Sequence, residues 1–471
     1  MKFNLSRKAR WVLMVVIAII VFAIAAFFQK RSRDLHAWPA ALITGDCIGA
    51  TPAGLSLISH ADTKELLATN KAQSPRLTQA YRHYLINGYD QEFVVPYAAS
   101  RAQELAPVHE KLTALLDEKP GFDATEYGSV PFTEASLFLM EYQLLKNIQA
   151  AGQLETHPTP EFQSEAIKLW IQPLHYMHTS LRGTGVFGRG LAAEIARTFN
   201  AEVRMGSGKH AFTFDQVKAF NAEVRKYLKA PDSLEQAIRD DYKAFSGAAK
   251  AMYDQMAGAP ANEIYGGKRI GGVTGLYVKM LGGSPAVTQQ HLDGVFSYLI
   301  INSRKPYTPS SILEGLPAWC HGLESGPYTI DPIAEAIVSA YLNQARTVVA
   351  IECHYETELR VAMLSFAINA YKHAKGAYPT SLKVLVEEGL LHADDLIDPF
   401  SLNRATELQY CLDNNGAEWR IYSVGVDQKD NGGVLPIIKA DSKNQQELER
   451  SDLVYQSGER ERRIKAASMP Q

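Results

Sequence analysis

The stretch WVLMVVIAIIVFAIAAFF, Trp11–Phe28, runs for eighteen residues without a charge close to the start of the chain. A helix rises about 1.5 Å per residue, so this run spans roughly 27 Å, near the hydrocarbon thickness of a bilayer. Trp11 is suited to one interface. A segment of this kind withdraws itself from any aqueous core and leaves the remainder to fold on one side of a membrane. The competing reading is a cleaved signal peptide with its processing site at Ala23–Ala25. Signal-peptide apolar regions are typically about 7–15 residues, shorter than this one, and Lys30, Arg31 and Arg33 follow at once. A retained anchor is the better match. Lys2, Arg7, Lys8 and Arg10 precede it, against three basic residues after it, which favours an inside N-terminus.

The chain has 471 residues, enough for two or three domains. With 48 basic against 51 acidic residues the net charge is −3, so no global basic field exists to attract nucleic acid. Cys47, Cys320, Cys353 and Cys411 form no CxxC pattern and allow three pairings if all are oxidised. Cys353 with Cys411 would join a helix to a strand.

From Asp62 to Met256 the pattern is helical, broken by turn signals. Thr213 with Gln216 has capping-box spacing, and Asp232 with Glu235 repeats it with an Asp cap. Between them Phe214, Val217, Phe220, Val224 and Leu228 share one helical face. Pro131 and Thr133 open an earlier helix for which Gly152 is a natural stop. Thr159 and Pro160 open another, which Pro173 should kink or end. A packed helical array is expected, without the strict period of a tetratricopeptide solenoid. Gly258–Tyr328 is rich in Gly and Pro, and within it Ile300–Leu323 reads as a long surface connection. Asp331 and Pro332 then cap a helix running 44 residues to Gly376, or roughly 65 Å if unbroken. Val361, Leu364, Ile368 and Tyr371 form a seam along its second half.

After Gly376 the character changes. AYPTSLKVLVEEGLL reads as a turn and a short helix, and Asp398–Phe400 as a turn. LQYCL and WRIYSV alternate around DNNG as a hairpin, and IYSVGVDQKDNGG closes the module. This ending, residues 355–435, resembles the C-terminal domain of type II secretion major pseudopilins. The residues that carry the likeness are Gly376, Tyr378, Pro379, Leu382, Leu385, Asp398, Pro399, Phe400, Tyr410, Tyr422, Ser423, Gly425, Asp427, Asp430, Gly432 and Gly433. The preceding region looks like larger bacterial envelope proteins in which the same ending is fused to an anchor and a helical region. The resemblance implies a helix with a small antiparallel sheet packed on it. It also implies a calcium-binding closing loop, with Asp427 and Asp430 as the matching carboxylates and Asn431 as a further side-chain oxygen. Hard oxygen donors on a flexible loop suit Ca²⁺, which takes about six to eight of them. Asp and Gly at these positions equally suit a plain turn.

The chain departs from true pseudopilins at its start. RKARWVLMVVIAII has no Gly before the apolar run and no Glu within it, and residues 29–354 separate the anchor from the matching module. It should be neither a prepilin-peptidase substrate nor a filament subunit.

Other motifs point to packing. GSGKH, Gly206–His210, lacks the first Gly and the Ser or Thr of a phosphate loop and reads as an ordinary loop. Tyr265–Gly275 contains no GxGxxG. His175 and His178 have metal-compatible spacing but no acidic neighbour, and Cys320–His321 and Cys353–His354 are adjacent, so on a helix they point apart. No catalytic residue is identified.

The expected architecture is mainly α: residues 1–34 as cytoplasmic stub and transmembrane anchor, 35–330 as a mainly helical domain, 331–440 as a pseudopilin-like α+β domain, and 441–471, poor in apolar residues, as a disordered tail. The expected protein is a single-pass bacterial inner-membrane protein with its bulk in the periplasm. It would touch the lipid bilayer through Trp11–Phe28 and engage an envelope protein partner without catalysis. The alternative is a periplasmic envelope hydrolase whose site converges only in the fold.

Overall fold

The computed structural model describes residues 100, 103, 132–156, 158–180, 185–228, 234–258, 285–305, 308, 316, 332–434 and 452–457. The apolar run Trp11–Phe28, the cap residue Asp232, the Tyr265–Gly275 stretch and the Cys320–His321 pair lie outside them. Among the described residues no helix is long and apolar enough to cross a membrane.

Among the described residues the fold is mainly helical with one small sheet. Its helices are α1 (Phe132–Thr156), α2 (Pro160–Ser180), α3 (Gly185–Lys209), α4 (Phe214–Leu228), α5 (Leu234–Gly258), α6 (Pro285–Ser303), α7 (Pro332–Lys375) and α8 (Leu382–Glu387). Strands β1 (Gln409–Asp413), β2 (Glu418–Ser423) and β3 (Leu453–Gln456) form an antiparallel sheet in the order β1-β2-β3. Local chemistry accounts for several boundaries. The Gln216 amide oxygen accepts the Thr213 N–H at 2.9 Å while Thr213 Oγ1 accepts the Gln216 N–H at 3.2 Å, a complete capping box ahead of α4. At the far end of α7, Gly376 turns left-handed at φ 81° and its N–H reaches the Lys372 carbonyl at 2.8 Å.

Two expected helix ends do not occur. α1 continues through Gly152 to Thr156, because buried Leu154 gives the last turn packing that offsets the roughly 1 kcal/mol helix cost of glycine. α2 continues through Pro173 to Ser180, held by the buried side chains Leu174 and Met177 on the far side.

The chain divides into two compact units: Met1–Gly49, Tyr242–Asn302 and Ile312–Arg346 in one, Ala50–Asp241, Ser303–Ser311 and Thr347–Gln471 in the other. In the first, Tyr242 of α5 donates to Asp293 Oδ1 of α6 at 2.6 Å, and Gln289 Nε2 donates to the Tyr242 oxygen at 2.8 Å. Phe296 lies between Tyr242 and a near-parallel Tyr341 ring 4.9 Å away.

The second unit is built around the C-terminal half of α7, which is buried nearly all round from Leu359 to Ala370. Phe366 sits at its centre, edge-on to Phe220 at 4.6 Å, Phe212 at 4.8 Å and Trp170 at 6.4 Å. Trp419, Ile421 and Tyr455 of the sheet join the same core. The core therefore takes residues from both sides of position 330.

β3 corrects the expectation of a disordered tail over 441–471. Residues 452–457 pair with β2, Ser423 facing Leu453 and Arg420 facing Gln456. A window average of a polar segment hides three apolar residues in a row, Leu453, Val454 and Tyr455, of which Val454 and Tyr455 favour strands and Tyr455 is buried in the core.

Candidate functional site

Buried Asp398 opens the turn ahead of the hairpin and reaches across to the loop that follows β2. Pro399 fixes the backbone after Asp398, and the carboxylate then folds back on its own segment. Asp398 Oδ1 accepts the Phe400 N–H at 2.9 Å and the Ser423 hydroxyl at 2.7 Å, while Oδ2 accepts the Val424 N–H at 2.9 Å. Burial pushes this carboxyl up, and the three donors pull the other way. The turn before the hairpin is thus bonded to the strand after it.

Beyond Val424 the loop curls through left-handed backbone at Gly425, Gln428, Gly432 and Gly433. Gly433 is required for a second reason: a Cβ there would fall 2.4 Å from the Tyr422 ring. Asp427 Oδ1 accepts the Lys429 N–H at 3.1 Å and Asp430 Oδ1 accepts the Gly432 N–H at 2.8 Å, each closing an Asx turn. Asn431 donates Nδ2 to the Lys429 carbonyl at 3.2 Å. The three residues singled out by sequence therefore share one loop, and each carboxylate keeps one oxygen outside its turn.

The residue that sequence reasoning missed is Asp452. It stands nineteen residues beyond Gly433 in the polar tail, is buried, and accepts the Gly433 N–H at 2.7 Å and the Asn431 N–H at 3.1 Å. Arg420 adds a bond from Nη1 to the Gly433 carbonyl at 2.9 Å. No spacing rule signals Asp452, because only the return of β3 beside β2 brings it to the loop. Among the described residues no three His, Cys, Asp or Glu side chains are grouped to hold a metal. The loop offers hard donors of the class Ca²⁺ takes, two carboxylates and an amide, with backbone carbonyls left to fill the shell.

A second polar cluster lies behind the sheet. Glu358 of α7 is buried and accepts Asn200 Nδ2 of α3 at 2.5 Å and the Tyr455 hydroxyl of β3 at 3.0 Å. Burial raises its carboxyl, against these hydrogen bonds and the more distant Arg204 and Arg197. Nearby, Asn369 bridges Ser207 Oγ at 2.9 Å and the Trp419 indole N–H at 3.1 Å.

The remaining motifs resolve into packing. GSGK is the last turn of α3, not a loop: a Cβ on Gly206 would lie 2.4 Å from Trp170, and Ser207 is the partner of Asn369. Its glycine serves close helix approach. His175 is exposed on α2, and the side chain of His178 lies outside the described residues. Cys353 and Cys411 are both free, so the expected bridge is not formed. The Cys353 thiol donates to the Pro399 carbonyl at 3.4 Å and is pushed up by burial, the opposite of what a nucleophile needs. His354 instead rests edge-on against Phe400, its ring centroid 5.0 Å away. No family model matches this chain, and neither does any curated protein or solved structure.

Proposed function

We propose that this chain is a membrane-anchored, non-enzymatic interaction protein of the bacterial envelope, with a pseudopilin-like α+β module over residues 355–435 working beside type II secretion-like machinery. The observation that carries the reading is the run of α7, the Gly376 cap, α8, the Asp398 turn, the β1–β2 hairpin and the closing loop, in the order the resemblance requires. Several buried ionisable groups in and next to this module are engaged in holding it together. Asp395 pairs with Arg225 at 2.5 Å, Asp398 binds the Val424 and Phe400 amides, and Cys353 is capped by a carbonyl. The periplasm is the compartment proposed for the module, and Ca²⁺ at Asp427, Asp430 and Asn431 is part of the same reading. The exposed apolar side chains Leu402 and Leu412 are the contact positions this reading assigns.

The test is photo-crosslinking in intact cells from a benzophenone amino acid at Leu402 or Leu412, with the buried position Leu385 as control. A discrete adduct with an envelope secretion subunit from the two exposed positions is expected. Adducts confined to cytoplasmic proteins, or none from either exposed position in the folded protein, would overturn the proposal.

A further inference from the structure

We propose that β3 is a proton-linked strap: it docks against α3 and α7 when Glu358 is neutral and is released from them when Glu358 is ionised. The argument begins with what holds this carboxylate. Glu358 is buried, yet its two partners are a neutral amide, Asn200, and a neutral phenol, Tyr455. None of the ion pairs formed among the described residues includes it. The charged groups that face it come from α3, where Arg204 and Arg197 act through space; from β3 it meets Tyr455. Arg204 is directed elsewhere, its guanidinium 5.4 Å from the Tyr455 ring centroid and its Nη1 3.4 Å from the Gln456 carbonyl. The Asn200 side-chain oxygen is buried with no hydrogen-bond partner, so the cluster already carries one uncompensated acceptor.

A buried anion held by neutral donors, with cations acting on it only through space, gains free energy from reaching water. Of the three elements around Glu358, α3 and α7 are locked into the aromatic core through Phe199, Phe220 and Phe366. β3 is four residues long and is the element that can leave at the smallest loss of buried apolar surface. Its departure would free the backbone edge of β2 from Arg420 to Ser423 and withdraw Asp452 from Asn431 and Gly433. Protonation of Glu358 in the helical body is thereby linked to the shape of the closing loop.

The sign follows from linkage. In the released state Glu358 titrates near the ordinary value of about 4.3, and in the docked state burial places it higher. Below both values docking is at its most favourable. Between them the released state has already lost its proton while the docked state keeps it, so release rises up to about tenfold per pH unit. Above the docked value both states are ionised and release levels off.

Hydrogen exchange of the whole protein, read by mass spectrometry, tests this. Exchange of the 452–457 segment is taken relative to β1, which belongs to the same sheet and, unlike β3, supplies no hydrogen bond to Glu358. Relative exchange of β3 in the wild type should rise several-fold as pH is raised from 4.5 to 8, while Glu358→Gln should stay flat. A flat wild type, or the same rise in Glu358→Gln, would overturn the strap. Tyr455→Phe keeps the ring and removes one donor to the anion, so its loss of protection should be greater at high pH than at low pH. Equal loss at both pH values would also sink the proposal, and this variant decides the matter if Glu358→Gln does not fold.

Discussion

Single side chains do the joining in this molecule. Asn369 shows how. It sits one turn after Phe366 on α7, is buried, and uses its amide group on α3 and its oxygen on the sheet. Truncating it leaves the Trp419 N–H and the Ser207 hydroxyl without their partner in a dry environment. Asn369→Ala is expected to cost about 1–3 kcal/mol, measured as a lower urea midpoint with unchanged slope. A midpoint equal to wild type would show that water replaces the bridge. Gly433 illustrates the other kind of residue constraint, where space against the Tyr422 ring and a φ of 64° leave room for hydrogen alone.

At the level of elements, the hairpin module is fastened to the helices by directed contacts as well as by apolar burial. Arg225 of α4 grips Asp395 through both nitrogens, Asn221 donates to the Leu390 carbonyl at 2.9 Å, and Arg360 of α7 donates to the Asp394 carbonyl. These ties hold the short helical turn that leads into the Asp398 loop. The closing loop is pinned at Asp398 and at Asp452, with half-buried Asp427 and exposed Asp430 between two fixed ends. Calorimetric titration of Ca²⁺ into the folded protein is expected to give saturable binding that disappears in the Asp427→Asn/Asp430→Asn double variant. Absence of binding by the wild type at millimolar calcium would make the loop a turn and nothing more.

The whole molecule responds to pH through groups of opposite sense. His354 is held neutral, lowered to about 4 by burial and then by Arg197, whereas its unfolded value is about 6.5. The unfolded chain therefore binds the extra proton first. Its contribution to stability is full above pH 6.5 and is lost as pH falls through about 4. Glu358 and Asp398, both raised by burial, act in the reverse direction, their contribution lost as pH rises. Comparing His354→Gln with wild type cancels the carboxylates. The wild type should lose up to about 2 kcal/mol more than the variant between pH 7 and pH 5, reduced by the partial exposure of the ring. Equal losses in urea titrations would remove His354 from the account.

Local chemistry was legible in the sequence wherever neighbours in the chain decide it. The capping box at Thr213 and Gln216, the 44-residue helix from Pro332, its end at Gly376 and the hairpin around Asn414–Gly416 all depend on contacts a few residues apart. The Asp427–Asn431 loop was readable for the same reason. Tertiary structure decided the rest. Gly152 and Pro173 fail to stop their helices because distant packing outweighs local propensity. Gly206 is a site of helix contact only because Trp170 approaches it. Asp452 and Tyr455 became partners of the loop and of Glu358 through pairing across nineteen and ninety-seven residues. Periodicity and spacing report the energy of a segment with itself, and a buried carboxylate or a returning strand draws its energy from elsewhere in the chain.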